Sequence, residues 1–263
     1  MARVLILGGT AEARALAAAL EGVPGVRPIS SLAGRVADPA LPAGQVRIGG
    51  FGGAAGLADW LAAEQIAAMV DATHPFAATI SWSAAQAADA AGIPILALRR
   101  PAWTEGPGDD WRRQPSTEAA ARALEQVLEM GGSPRPGVAE RVFLTTGRTG
   151  LAPFAGLDRH WFLIRSIEAP QPPLPSRHQL VLARGPFSVA QEIALMREHR
   201  IQVLVTKDSG GPLTEAKLVA ARELRLPVLM IQRPPLPDIA AVPTVDAARD
   251  WVAALAAGSA QPG

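Results

Sequence analysis

Near its amino terminus the chain carries Arg3-Val4-Leu5-Ile6-Leu7-Gly8-Gly9-Thr10-Ala11-Glu12-Ala13. The run Val4-Leu5-Ile6-Leu7 has no polar alternation, the pattern of a short strand covered on both faces. After two glycines the pattern turns helical over residues 11–20, rich in alanine and leucine and stopped by Gly22 and Pro24. A pyrophosphate needs backbone N–H groups aimed at it, no side chain in the way, and the positive end of a helix dipole. Gly8 and Gly9 permit the close approach, and Thr10 offers a hydroxyl. The dinucleotide fingerprint G-x-G-x-x-G is met only in part, because Thr10 and Ala13 stand where its second and third glycines would. A tight strand–helix turn with no ligand fits these residues as well.

Outward from that turn the alternation continues. Strands are predicted at 26–31, 46–48, 67–71 and 93–98, with helices at 56–65 and 81–91. Short apolar strands separated by helices give a parallel sheet with both faces covered. The pattern then recurs. Arg3 to Thr10 resembles Arg141-Val142-Phe143-Leu144-Thr145-Thr146-Gly147-Arg148, and Ile93-Pro94-Ile95-Leu96 through Arg100-Pro101 resembles Leu226-Pro227-Val228-Leu229 through Arg233-Pro234. The expected fold is therefore α/β, two similar Rossmann-like parallel-sheet halves with an active-site cleft between them. The expected division is a nucleotide-binding domain at 1–102, a connecting segment at 103–139 and a second domain at 140–263. The connection contains one helix, at 117–130 with Ser116 as its cap, and a Gly/Pro linker at 131–137. It is long enough to let an element of one half join the other's sheet. A last amphipathic helix is expected at 245–256, with a frayed end at 259–263.

Composition narrows the function. The 263 residues hold 25 basic and 24 acidic side chains, a net charge of +1, which does not favour a nucleic-acid partner. The chain has no cysteine, so thiolate metal sites, iron–sulfur clusters and thiol nucleophiles are excluded. It has no tyrosine, so no phenol serves as acid or base. His160, His178 and His199 lack ligand spacing, and no H-E-x-x-H, Walker or nucleophile-elbow motif occurs. No metal is expected. No signal-peptide core or membrane span is legible, so a cytoplasmic protein is expected, and with no coiled coil or exposed apolar strand to demand a dimer, a monomer is expected.

Three further stretches lie where open α/β sheets bind ligands, at the carboxyl ends of strands. Ile29-Ser30-Ser31-Leu32-Ala33-Gly34-Arg35 lacks the carboxylate that would accept NAD ribose hydroxyls, and Ser31 and Arg35 suit the 2′-phosphate of NADP instead. Arg35 also reads as an ordinary solvated side chain. Asp71-Ala72-Thr73-His74-Pro75-Phe76 follows a strand; His74 suits a ligand hydrogen bond or general-acid catalysis, and Asp71 with His74 equally suits a turn. Thr206-Lys207-Asp208-Ser209-Gly210-Gly211, with Lys217 beyond it, makes an anion-binding corner. Thr145-Thr146-Gly147-Arg148 and Arg184-Gly185-Pro186-Phe187 offer similar corners. Local pairing of Lys207 with an acid is the alternative.

Taken in order, Gly8-Gly9-Thr10-x-Glu12-x-Arg14, Gly50-Phe51-Gly52-Gly53, Asp71 to Ala77, Arg100-Pro101-x-Trp103, Arg184-Gly185-Pro186-Phe187 and Lys207-Asp208-Ser209-Gly210-Gly211 resemble the precorrin-6A and cobalt-precorrin-6A reductases of cobalamin biosynthesis. The resemblance implies an NADPH-dependent reductase that adds hydride to ring carbon C19 of a polycarboxylate tetrapyrrole, giving precorrin-6B. It implies cofactor contacts from Gly8, Gly9, Thr10, Glu12, Ser31, Arg35, Gly50, Phe51, Asp71, Thr73 and His74. It implies substrate contacts from Thr146, Arg148, Arg184, Gly185, Lys207, Ser209, Gly210 and Lys217. His74 is the candidate proton donor, with water as the other. Two readings stay open from the residues alone: an NADP-dependent reductase of another anionic substrate, and a non-catalytic NADP(H)-sensing protein.

Overall fold

A computed structural model describes residues 1–34, 41–127 and 140–258 of the chain. In chain order the first elements are β1 (Ala2–Leu7), α1 (Ala11–Glu21), β2 (Val26–Leu32), β3 (Gln45–Ile48), α2 (Gly53–Ala63), β4 (Ile66–Asp71), α3 (Ala78–Ala91) and β5 (Ile95–Leu98). Then come β6 (Trp111–Gln114), α4 (Thr117–Val127), β7 (Arg141–Leu144), β8 (Trp161–Ser166), β9 (His178–Leu182), α5 (Val189–Glu198) and β10 (Val203–Lys207). The last are α6 (Ala216–Glu223), β11 (Val228–Ile231), β12 (Ala241–Val242) and α7 (Val245–Gly258). The chain forms two α/β units, each built on a six-stranded parallel sheet.

The first unit comprises Met1–Pro101 and the segment from Pro235 onward, and its strand order is β12-β5-β4-β1-β2-β3. The unbroken apolar run of β1 follows from two covered faces. Val4 and Ile6 pack with Leu16 and Leu20 of α1 and Val252 of α7, whereas Leu5 and Leu7 pack with Leu57 and Leu61 of α2 and Ala84 and Ala88 of α3. The second unit, Ala102–Pro234, has the order β6-β11-β10-β7-β8-β9. One of its faces buries Phe143, Leu163, Leu204 and Met230 against Met196 of α5 and Leu218 of α6.

The division of the chain differs from the expected one. The segment 103–139 is not a separate connector: β6 pairs parallel with β11, Trp111 opposite Val228, and belongs to the second sheet. Nor does the carboxyl-terminal region belong wholly to the second unit. Ala241 and Val242 pair with Ala97 and Leu98 of β5, and α7 buries Ala248 and Val252 in the first unit's core. The physical reason is that each sheet would otherwise leave an apolar strand, β5 or β11, with an open edge. The expected linker at 131–137 and the frayed end at 259–263 lie outside the described residues, as do residues 128–130 of the helix expected at 117–130.

From β1 in the first sheet and from β7 in the second, the chain builds outward in one direction and then returns to the other side. The reversal falls between β1 and β4 in the first unit and between β7 and β10 in the second. Such switch points open a crevice beyond the carboxyl ends of the two strands, where the outgoing loops part.

Candidate active site

The first unit's switch point holds the β1–α1 turn and the loop after β4. Gly8 donates its N–H to the Ser31 carbonyl at 2.9 Å, and a Cβ there would press on Leu32 at 3.3 Å. Gly9 has φ +107°, with nothing within 4 Å of where a Cβ would stand. It therefore supplies both the left-handed backbone and an open approach to the helix. Thr10 caps α1 by accepting from Ala13 N–H at 3.1 Å, and its own hydroxyl donates to the Ala72 carbonyl at 2.8 Å. That single proton is spent within the fold, so the hydroxyl is not a phosphate donor as the sequence suggested. Thr10 instead ties α1 to the end of β4.

Glu12, in the first turn of α1, pairs with Arg100 just beyond β5. Thr10, Glu12, Thr73, Pro75, Leu98 and Arg100 line one recess at the carboxyl edge of the sheet. Asp71 is buried, and its Oδ1 accepts from the Thr73 N–H at 3.1 Å and the Thr73 hydroxyl at 2.7 Å. Both side chains thus shape the turn, the alternative weighed for Asp71 from sequence. His74 accepts the Phe76 N–H on Nδ1 at 3.2 Å, so the neutral ring carries its proton on Nε2. Ser31 is buried at the end of β2, and Gly50 and Phe51 follow β3. Arg35 lies outside the described residues.

Arg47 is a residue that sequence reading passed over. It stands opposite Ser31 in the β2–β3 register. Its guanidinium donates to the Gly49 carbonyl at 2.6 Å and the Gly50 carbonyl at 2.7 Å, and lies 3.8 Å from the Phe51 ring centroid. The signal available in sequence was an arginine shortly before the glycine run, but its meeting with Ser31 depends on strand pairing.

The second unit repeats the arrangement with different side chains. At its switch point Lys207 ends β10, and burial pushes its ammonium below the usual lysine range. A Cβ on Gly150 would stand 3.3 Å from Thr146 Cβ and 3.7 Å from Lys207 Nζ, so the loop after β7 packs on the end of β10. The buried Thr146 hydroxyl faces the Gly150 carbonyl at 3.4 Å. Asp208 accepts the Trp103 N–H at 3.1 Å, and Arg233 donates to the carbonyls of Asp208 at 3.0 Å and Ser209 at 3.3 Å. Gly210 and Gly211 follow with φ +67° and +75°. Arg233 matches Arg100 in the sequence repeat, but Arg233 braces the loop after β10, whereas Arg100 pairs with Glu12 at the start of α1.

Arg148 pairs with Glu168 at 2.6 Å beside a pocket of about 350 Å³, which also takes in Thr117, Glu118, Leu151 and Gln171. Arg184 and Gly185 are exposed beyond β9. Lys217 departs from expectation. It is buried, donates to the Thr214 carbonyl at 2.7 Å and lies 5.0 Å from the Trp103 ring. The first turn of α6 points it inward, so it braces the loop rather than presenting a charge at the edge. Among the described residues no three His, Cys, Asp or Glu side chains gather to hold a metal ion, and no helix is long and apolar enough to cross a membrane.

Comparison with known proteins gives this geometry its context. The profile of the family described as precorrin-6x reductase CbiJ/CobK matches residues 3–253. The chain belongs to this family. A Rhodococcus erythropolis relative named precorrin-6A reductase is 57% identical over 97% of this chain and 99% of its own. A solved structure described as CobK precorrin-6A reductase superposes with a TM-score of 0.86 at 39% identity, covering 97% of both chains. A Salmonella typhimurium relative named cobalt-precorrin-6A reductase is 29% identical, covering 88% of this chain and 87% of its own. Two parallel-sheet units with flanking helices are thus the family architecture as well as the one the residues spell out.

Proposed function

We propose that this chain reduces precorrin-6A to precorrin-6B with NADPH, in cobalamin biosynthesis, with hydride delivered to ring carbon C19. The observation that carries the reading is 57% identity, along nearly the whole of both chains, to a relative named for this reaction. The metal-free substrate is favoured over its cobalt complex by the contrast with 29% for the relative named for the cobalt form.

The residues at the first switch point fit a dinucleotide. Gly9 leaves open space where a side chain would block a pyrophosphate, and the N–H groups of the first helical turn lack intrahelical acceptors. Gly8 brings the backbone close, and Arg100 neutralises Glu12, whose carboxylate would otherwise repel an anion. Ser30-Ser31-Leu32-Ala33-Gly34 supplies no acid for a ribose 2′-hydroxyl, which favours NADP over NAD. Gly50 and Phe51 flank the adenosine side. Asp71 and Thr73 hold the turn beside the nicotinamide, and His74 offers its Nε2–H there.

When bound, the nicotinamide supplies a hydride. The protein's part is to orient both reactants and fix the face of attack. Arg148, Arg184, Lys207, Ser209 and Gly210 anchor the macrocycle's carboxylates, and Thr146 and Gly185 shape the loops that carry them. His74 or water gives up the proton.

The test follows the visible spectrum of metal-free precorrin-6A with purified protein and either NADPH or NADH. A spectral change with NADPH, and much less with NADH, is the expected result. No change with either nucleotide, on the metal-free substrate or its cobalt complex, overturns the proposal.

A further inference from the structure

We infer that Arg47 recognises the 2′-phosphate of NADP, an inference that rests on the NADPH reading above. Ser31 and Arg47 face each other across β2 and β3, on the flank of the switch point where the first three strands run. In a doubly wound sheet that flank receives the adenosine half of a dinucleotide, and the strand end beside β1 is where NAD and NADP are told apart. The backbone leaving β2 passes directly beside the end of β3, since a Cβ on Gly34 would stand 3.2 Å from Ile48 Cγ2.

Arg47 is already held for the task. Its Nη1 and Nη2 are fixed by the Gly49 and Gly50 carbonyls, and its plane lies over Phe51. Phe51 is itself fixed by Trp60, edge-on at 5.4 Å. The two carbonyls use only part of a guanidinium's donor fork, and the Nη2 bond lies on the exposed side. No carboxylate pairs with Arg47 among the described residues, in contrast to Arg100, Arg148, Arg165 and Arg222. A planar cation with spare donors, no counter-charge among the described residues and little side-chain freedom left to lose is matched to a phosphate monoester. The same features give an unphosphorylated ribose nothing comparable.

The test separates the phosphate from the nicotinamide and from the macrocycle. Adenosine 2′,5′-bisphosphate and adenosine 5′-monophosphate are titrated calorimetrically into the wild-type protein, Arg47→Met and Arg47→Lys. The wild type should bind the bisphosphate at least about tenfold more tightly. Arg47→Met should bring that ratio close to one while leaving monophosphate affinity within about twofold, and Arg47→Lys should recover part of it. Equal loss of affinity for both probes would make Arg47 a loop brace only and overturn the inference. A preserved ratio in Arg47→Met overturns it as well, with the NADPH reading untouched. A wild type with no preference between the probes removes the NADP reading and this inference together.

Discussion

Glu12 and Arg100, 88 positions apart, meet in a two-pronged ion pair: one guanidinium nitrogen lies 3.0 and 2.9 Å from the two carboxylate oxygens. The pair closes one side of the recess at the first switch point and cancels a negative charge at the amino end of α1. Replacing Arg100 with methionine leaves that carboxylate uncompensated beside the proposed pyrophosphate site. The KM for NADPH should rise about tenfold, with a smaller fall in kcat. The double variant Glu12→Gln/Arg100→Met should regain most of the loss, because the repulsion is gone with the charge. Steady-state kinetics on the three variants check this, and a double variant no better than Arg100→Met would contradict it.

Lys207 sits under opposing demands. Its ammonium is desolvated at the end of β10, which holds its pKa below the ordinary lysine value. In the window between that lowered value and the unfolded one, the unfolded chain binds more protons, so stability rises with pH there. Below the window the folded protein carries the desolvation cost of the charged ammonium. Lys207→Met should therefore raise the melting temperature by a few degrees near neutral pH, an advantage that fades as the pH approaches the unfolded lysine value. The same variant should raise the KM for the macrocycle about tenfold, since one carboxylate anchor is lost. Melting curves across pH, alongside kinetics, separate the two effects.

Much of this organisation was readable from the chain. Val4 to Leu7 reads as a short strand covered on both faces, and the glycine turn after it as a strand–helix junction. What failed to read was long-range pairing. Trp111-Arg112-Arg113-Gln114 buries only its tryptophan fully, so β6 carries no apolar signature, and Ala241-Val242 is too short to have one. Both become strands because a neighbouring edge needs a partner. The site divides in the same way. Gly8, Gly9 and Lys207 are singled out by local pattern and stand at the switch points, whereas only the strand register sets Arg47 opposite Ser31, and the first turn of α6 carries Lys217 inward.

The return of the chain to the first unit makes a prediction of its own. Val252 of α7 is 1% exposed and packs in the cluster that holds Leu16 and Leu20 of α1. Val252→Asp puts a carboxylate there with no partner, at a cost of more than about 3 kcal/mol. Denaturant unfolding should show that loss, although residue 252 lies far along the chain from the first unit's other elements. If the variant unfolds at the wild-type midpoint, the carboxyl-terminal helix does not belong to that core.

Gly56 lies inside α2, yet a Cβ there would come within 2.0 Å of the Phe51 carbonyl oxygen. The helix starts so tightly against the preceding loop that only a hydrogen fits. Gly56→Ala, which stabilises an ordinary helix interior, should here destabilise the protein by roughly 2 kcal/mol. It should also weaken NADPH binding, because the displaced atom belongs to the loop that positions Arg47. A variant as stable as the wild type would show that the loop relaxes freely.

His74 suits two roles by residue type, a ligand hydrogen bond and proton donation, and its hydrogen bonding bears on both. The Phe76 N–H points at Nδ1, so the resting ring is an acceptor on that side and keeps its proton on Nε2. Protonating the ring to make it an acid would break this bond and set two N–H groups against each other. With Nδ1 accepting, the ring offers its Nε2–H to a ligand. His74→Ala should raise the KM for NADPH several-fold while kcat falls by less than about tenfold, and the pH dependence of kcat should keep its shape. His74→Gln should fall between the two proteins. Loss of more than about a hundredfold in kcat, with an ionisation missing from the profile, would instead establish the histidine as the proton donor.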